Sequence, residues 1–321
     1  MIRLPYKSHE EWLELRRSGI GGSDIGAIFG LHNYMSVTGL WLDKLHRSEP
    51  QVETEAMTNG KLWEDIIRQR YIRESGNNVE KPMAVVDGKI LDCIYQSEKY
   101  PFMLASIDGE GIDPDGKKFI FEAKNTLNFN TIRDLEDDET PLYWVAQVLH
   151  YLIVTDYDYA VIAYQAGNSH HGTRIIERNP ENEARIIEAE TEFWGYVTNS
   201  EPPKIDGSDE MMKYLADTYN NQIDETTDLS PIGDKLERQY LLGREIKAKE
   251  AERSILTAEI KSALGNYKYG NSRDYNASWS RSAGTKFDAD RFKKENPDIV
   301  LKYTIPTETN TLRITEVKNG K

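Results

Sequence analysis

Ser106-Ile107-Asp108-Gly109, then a turn, then Phe119-Ile120-Phe121-Glu122-Ala123-Lys124 is the stretch on which the fold turns. Alternate residues of a strand share a face, so Glu122 and Lys124 point one way while Phe121 and Ala123 point the other. Asp113-Pro114-Asp115-Gly116 carries turn chemistry. Residues 109–116 are therefore expected to join the runs 102–107 and 118–124 as a hairpin, returning Asp108 to a place beside Glu122. Two carboxylates and one lysine then meet at a sheet end. Hard oxygen ligands of this kind suit Mg²⁺ or Mn²⁺, and such a cation can activate water for phosphodiester cleavage. Lys124 can orient the attacking water or neutralise developing charge. The bland alternative is a surface hairpin with scattered charges, because an acid-x-Lys strand is common.

Working outward, short β-type runs are predicted at 82–86, 90–95 and 159–165 as well, with turn residues between most of them. Before them, helical patterns cover 9–17, a short piece from Ser23-Asp24 to Ile28, 36–47, and about 54–75. After them come helices over 140–155 and 181–198. Helices, a small mixed sheet and flanking helices give an α+β (mixed α/β) core. Glu201-Pro202-Pro203 and the acidic residues after it mark a domain edge, giving a core domain over 1–205 and a C-terminal extension over 206–321. That extension reads as an acidic linker, a long charged helix over 231–264 and a small β element over about 267–317.

Composition narrows the function classes. A 321-residue chain can bury roughly 75% of its surface, so it needs neither disulfides nor a structural metal. The single cysteine, Cys93, excludes a disulfide framework and a four-Cys zinc site. With no basic neighbour or histidine motif it reads as a strand residue rather than a nucleophile. No run approaches the roughly 18 apolar residues of a membrane span, and the first twenty residues hold no apolar block, so a cytoplasmic protein without membrane association is expected. The net charge is −14, which argues against a general nucleic-acid coating protein. It leaves room for an enzyme that holds a cation with carboxylates beside a local basic channel. Charge is uneven: residues 261–321 carry twelve Lys and Arg against seven Asp and Glu. His170-His171 has no acid at ligand spacing and reads as a loop.

Three further segments offer chemistry. Gly60-Lys61-Leu62-Trp63-Glu64 places another carboxylate, Glu64, on an apolar-striped helix. Arg16-Arg17-Ser18-Gly19-Ile20-Gly21-Gly22-Ser23-Asp24 is a glycine-rich turn into a helix start, where backbone N–H groups and a guanidinium can hold an anion. Tyr143-Trp144-Val145-Ala146-Gln147 sets Trp144 and Gln147 one helical turn apart. Each has an ordinary counterpart: a solvent-facing Glu, a flexible capped turn, a core Trp with a buried amide.

Taken together and in this order, the segments over about residues 9–205 resemble the lambda-exonuclease type of phage recombination nuclease, the YqaJ-like viral recombinases of the PD-(D/E)XK superfamily. The family's Arg-x6-Ser falls on Arg16 and Ser23, its helical glutamate on Glu64, its Ser-x-Asp-Gly on Ser106 and Asp108, its Glu-x-Lys on Glu122 and Lys124, and its later glutamine on Gln147. The aromatic three before that glutamine is often Tyr in the family; here it is Trp144, with Tyr143 one position off. The resemblance implies a restriction-endonuclease-like core. It implies Glu64, Asp108, Glu122, Lys124 and Gln147 as catalytic residues, with Asp108, Glu122 and Glu64 on Mg²⁺ (or Mn²⁺). Arg16, Ser23 and Ser106 would bind a 5′-phosphate. The activity implied is a processive 5′→3′ exonuclease acting at double-stranded DNA ends, releasing 5′ mononucleotides and leaving a 3′ strand for a single-strand annealing protein. It also implies a trimeric ring and a phage or prophage origin in a bacterial cytoplasm. Rival readings are an endonuclease of restriction or repair type and a non-catalytic DNA-end-binding scaffold.

Overall fold

The computed structural model describes residues 1–31, 34–48, 54–168, 170–221, 223–307 and 309–317. The chain divides into two compact units, Met1–Thr218 and Tyr219–Lys321. The first opens with β1 (Ile2–Pro5) and α1 (His9–Arg17), then β2 (Ile20–Gly21) and a 3₁₀ turn, Gly22–Asp24, that leads into α2 (Ile25–Ile28). Next come α3 (Val37–Lys44) and α4 (Glu55–Ser75), which stops at Gly76 in the left-handed region. The strands β3 (Met83–Val86), β4 (Lys89–Gln96), β5 (Met103–Ala105), β6 (Gly109–Ile112) and β7 (Lys118–Thr126) follow. After α5 (Phe129–Glu136) and α6 (Leu142–Thr155) come β8 (Tyr159–Ala166), β9 (His170–Glu177), α7 (Pro180–Asn199) and α8 (Asp209–Thr218).

Two sheets share the core. One has the order β1-β4-β5-β2, with β3 also on β4; the other has the order β6-β7-β8-β9. A backbone bridge between Glu80 and Glu110 ties them. In the second sheet β7 and β8 run parallel, joined by the α5–α6 crossover, while β6 and β9 lie antiparallel at the edges. The two central strands are apolar along most of their length because both faces are covered. Phe119 and Phe121 pack against Ile67 and Tyr71 of α4, whereas Ile120 and Ile162 pack on the other face against Val148 and Leu152 of α6. That parity turns Glu122 and Lys124 toward α6.

Several expectations change in the folded chain. The partner of β7 is β6, not the run 102–107. Asp113 makes the tight turn by accepting the backbone N–H groups of Asp115 and Lys117 at 3.0 and 2.9 Å, and β5 pairs with β4 and β2 instead. His170 and His171 are not in a loop but open β9, where they pair with Ala166 and Gln165. Their ring nitrogens approach Glu136 at 3.1 Å and Glu74 at 3.7 Å. On α4 the apolar stripe splits: Trp63, Ile67 and Tyr71 face the sheet, while Leu62 and Ile66 face out. The core does not end at residue 205. Met211 of α8 is buried, Tyr214 stacks edge-on against Trp41 at 5.2 Å, and Glu210 accepts from Ser36 at 3.1 Å. These contacts hold residues 206–218 to the first unit.

Cys93 lies in β4 and is buried; burial, with Glu110 and Asp92 nearby, pushes its thiol up to about 11. In the second unit α9 (Gly233–Leu264) is a 32-residue helix with no buried side chain, followed by the hairpin β10 (Tyr269–Asn271) and β11 (Asn276–Ser278). Within the expected terminal β element only these two strands pair; α10 (Ala289–Glu295) and α11 (Pro297–Tyr303) are helical. Among the described residues no helix is long and apolar enough to cross a membrane.

Candidate active site

A cleft of about 690 Å³ is lined from α1, α4, α6, β4, β5, β7 and the segment that leads into β6. Asp108 precedes β6, and its Oδ2 accepts the backbone N–H of Ala123 at 2.8 Å, which fixes it beside Glu122. Glu122 is buried; its Oε1 accepts from Lys124 Nζ at 2.9 Å and from Gln147 Nε2 at 2.7 Å. Lys124 also donates to Gln147 Oε1 at 2.7 Å. Strand parity and the α6 crossover thus gather Glu122, Lys124 and Gln147 into one hydrogen-bonded cluster at the cleft.

Electrostatics mark the spot. Burial first, then the neighbouring Glu122 and Glu64 carboxylates, raise the Asp108 carboxyl well above its usual range. Glu64, on α4, is raised by burial and by Glu122, with Lys81, Lys61 and Lys124 pulling the other way. Glu122 is also raised by burial, although Lys124 and Gln147 favour its charged form. For Lys124 burial disfavours the ammonium, but Glu122 and Asp108 outweigh it and raise its pKa, so the lysine stays cationic. Three carboxyl groups crowd one another here, and burial together with like charge disfavours having all three ionised at once.

Glu122 Oε2 is buried and has no hydrogen-bond partner. Such a group is costly unless something occupies its lone pairs. Among the described residues no three acid or histidine side chains converge on one preformed cation site. Asp108 and Glu122 come together, while Glu64 acts on them through its charge. Two carboxylates nonetheless fit a Mg²⁺ site, because this ion keeps waters and substrate oxygens in its shell and takes one or two protein carboxylates.

The other wall of the cleft carries Arg16, Ser23 and Ser106. Arg16 Nη2 donates to Ser23 Oγ at 2.7 Å and to Asp24 Oδ1 at 3.2 Å, and its guanidinium lies 5.0 Å from the Trp12 ring centroid. Trp12 Nε1 donates to Ser106 Oγ at 3.3 Å, so a single contact chain spans the pocket. The expected helix start is altered: Ser23 does not cap a helix, and α2 is only four residues long. Asp24 instead receives the Gly21 N–H at 2.8 Å and Lys44 Nζ at 2.6 Å. Burial raises the Asp24 carboxyl but Lys44 and Arg16 overcome that and lower it. Two cations against one acid leave the cluster positive.

Gly22 lets this wall approach α6. A Cβ there would sit 2.5 Å from the Tyr151 ring and 3.0 Å from Gln147 Cγ. The approach brings in a residue the sequence pattern did not single out: the Tyr151 hydroxyl accepts from Gln147 Nε2 at 3.0 Å and lines the cleft. Tyr151 follows Gln147 by one helical turn, a spacing that is visible in hindsight. Trp144 is a core residue, 3% exposed, and Tyr143 is half-buried, so the phenol that α6 gives the cleft is Tyr151, beside Tyr6 from the chain before α1. Trp12 and the Asp24–Lys44 pair were likewise missed. So was His150, fully buried, whose Nδ1 is 2.7 Å from Glu190 and whose Nε2 meets the Leu104 carbonyl at 2.8 Å. Burial opposes its protonation, but Glu190 prevails and raises its pKa.

The chain is similar to several known proteins. A family model described as the YqaJ-like viral recombinase domain matches residues 11–158. The uncharacterised protein YqaJ of Bacillus subtilis (strain 168) is 33% identical over an alignment of 321 positions that covers 97% of this chain and 95% of that one. Among solved structures, an alkaline exonuclease from Laribacter hongkongensis is 17% identical, with a TM-score of 0.48 over 65% of this chain and 98% of its own. A phage-related exonuclease from Haemophilus somnus 129PT is 13% identical, with a TM-score of 0.42 over 59% of this chain and 99% of its own. On its identity to YqaJ across nearly the whole of both chains, the chain belongs to the YqaJ-like viral recombinase family.

Proposed function

We propose that the chain is a divalent-metal-dependent nuclease with the PD-(D/E)XK arrangement, degrading double-stranded DNA 5′→3′ from an end. It would release 5′ mononucleotides and leave a 3′ single strand for recombination with a single-strand annealing protein. The observation that carries the reading is that Asp108, Glu122 and Gln147, with Lys124 hydrogen-bonded to the last two, line the same cleft as Arg16, Ser23 and Ser106. An anion-binding group beside a hydrolytic cluster gives a terminal phosphate a place to rest while the next phosphodiester meets the acids. Mg²⁺ or Mn²⁺ held by Asp108 and Glu122 would supply Lewis-acid polarisation of the scissile phosphate. Lys124 uses two of its N–H donors on Glu122 and Gln147, which leaves the third for a phosphate oxygen or the attacking water. Lys61 and Lys81 also line the cleft and give an acidic chain a local attraction for a polyanion. A homotrimeric ring, as the resemblance implies, would concentrate such basic linings around the duplex.

One assay tests the reading. End-labelled linear DNA and covalently closed circular DNA are incubated with Mg²⁺, and the linear form alone should be consumed. Nicking of the circle makes the protein an endonuclease; cutting of neither makes it a scaffold.

A further inference from the structure

The second unit carries a surface that the cleft does not use. In the β10–β11 hairpin, Tyr269 pairs with Ser278 and Asn271 with Asn276, so these four side chains share one face. That face is exposed, while Gly270 and Ala277 on the other face are half-buried. A Cβ at Gly270 would meet Leu264 Cδ2 at 2.7 Å, which shows how closely the hairpin's inner face lies on the end of α9. The hairpin is therefore a supported ribbon, with one side free. Around it stand Tyr267 and Tyr275, 78% and 81% exposed, and Tyr269 itself is 69% exposed. Solvent exposure on this scale for three tyrosines within nine residues is costly in apolar area and calls for an occupant.

Charge says which. Lys268 stands 5.1 Å over the Tyr269 ring, Lys261 stands 5.5 Å over Trp279, and Arg273 sits at the hairpin tip beside Asp274. Residues 261–321 are net positive in a chain of −14. We propose that the outer face of this hairpin binds single-stranded DNA, with Tyr267, Tyr269 and Tyr275 stacking on bases and Lys268 and Arg273 meeting phosphates. Aromatic platforms interleaved with bases are how strands are held without reading sequence. A duplex offers phosphates but no free base faces, so exposed rings favour a single strand over a double one. The Asn271, Asn276 and Ser278 side chains add donors and acceptors for base edges. The choice of strand rests on the nuclease reading, which makes a single strand the lasting product.

The test uses the full-length protein in EDTA, so that binding is read without turnover and an inactive protein still answers. Anisotropy of a labelled oligothymidylate is compared with that of a duplex of equal length with blocked ends. Tyr267→Ala/Tyr269→Ala should weaken binding of the single strand at least tenfold, Tyr269→Phe should retain it, and duplex affinity should not change, nor should the rate of duplex digestion read separately with Mg²⁺. Circular dichroism checks that the variants fold. An unchanged single-strand affinity overturns the proposal, as does loss of binding only on Arg16→Ala, which would put the strand in the cleft. Equal losses on both ligands also overturn it, since stacking would then have no part.

Discussion

Arg16 divides its guanidinium between Ser23 and Asp24, whereas its neighbour Arg17 is taken by Asp43 at 3.2 Å. Only the first points into the cleft, so the two make a matched pair for experiment. A charge-assisted hydrogen bond is worth roughly 1.5–3 kcal/mol, and about 1.4 kcal/mol is tenfold in rate. Arg16→Ala should slow initial digestion of 5′-phosphorylated ends roughly ten- to a hundredfold and of 5′-hydroxyl ends much less, while Arg17→Ala should leave the ratio of the two rates alone. Equal slowing on both ends would make Arg16 a general contact. Lys44 still compensates Asp24 in the variant, so the pocket wall keeps its acid satisfied. At this scale the sequence was informative where a local period decided the matter. Glu122 and Lys124 share a face because strands alternate, whereas Arg16 and Ser23 are picked out by the resemblance to the family's Arg-x6-Ser. Tyr151 and Asp24 depend on a close approach at Gly22 and on a lysine 20 residues away, and no local period encodes either.

The His150–Glu190 pair joins three elements: α6, α7 and, through the Leu104 carbonyl, β5. Leu104 lies two residues before Ser106, and His150 lies three after Gln147, so the pair braces both walls of the cleft from beneath. Removing one partner strands the other in an apolar interior at a cost of about 3–5 kcal/mol. In a unit of this size that corresponds to a melting temperature lowered by roughly 6–20 °C. His150→Ala and Glu190→Ala should each show it by calorimetry, and His150→Leu/Glu190→Leu should melt higher than either single variant. A double variant as unstable as the sum would mean that the two residues act separately. Elements with strong periodicity, such as α1, α6 and α7, were legible to within about two residues of their ends. The strands β1, β2 and β9 were not. β2 is two residues long and exists only through its parallel partner Met103–Leu104, and β9, His-His-Gly-Thr-Arg-Ile-Ile-Glu, is an edge strand with mixed polar and apolar residues on its exposed side and no clean alternation to announce it.

For the whole molecule the tension lies between a charge of −14 and a polyanionic substrate. Local basic linings resolve it, and a closed oligomer would multiply them around one duplex. Light scattering of the purified protein should therefore give a closed assembly, by family likeness a trimer, and a fully active monomer would remove the ring. The division after Thr218 was hard to see in the sequence because the acidic stretch from Asp206 looks like a linker, yet its Met211 and Tyr214 are docked against α3 and its neighbours. Cys93 bears on how such assemblies can be observed. It is the sole cysteine of the chain and is buried, and burial holds its thiol well above the usual range, so the reactive thiolate is scarce at neutral pH. The native surface is therefore silent toward maleimides, and a cysteine introduced at the hairpin tip or the cleft rim would carry a dye alone, giving spectroscopists a single-colour address on each subunit without first having to engineer a cysteine-free background.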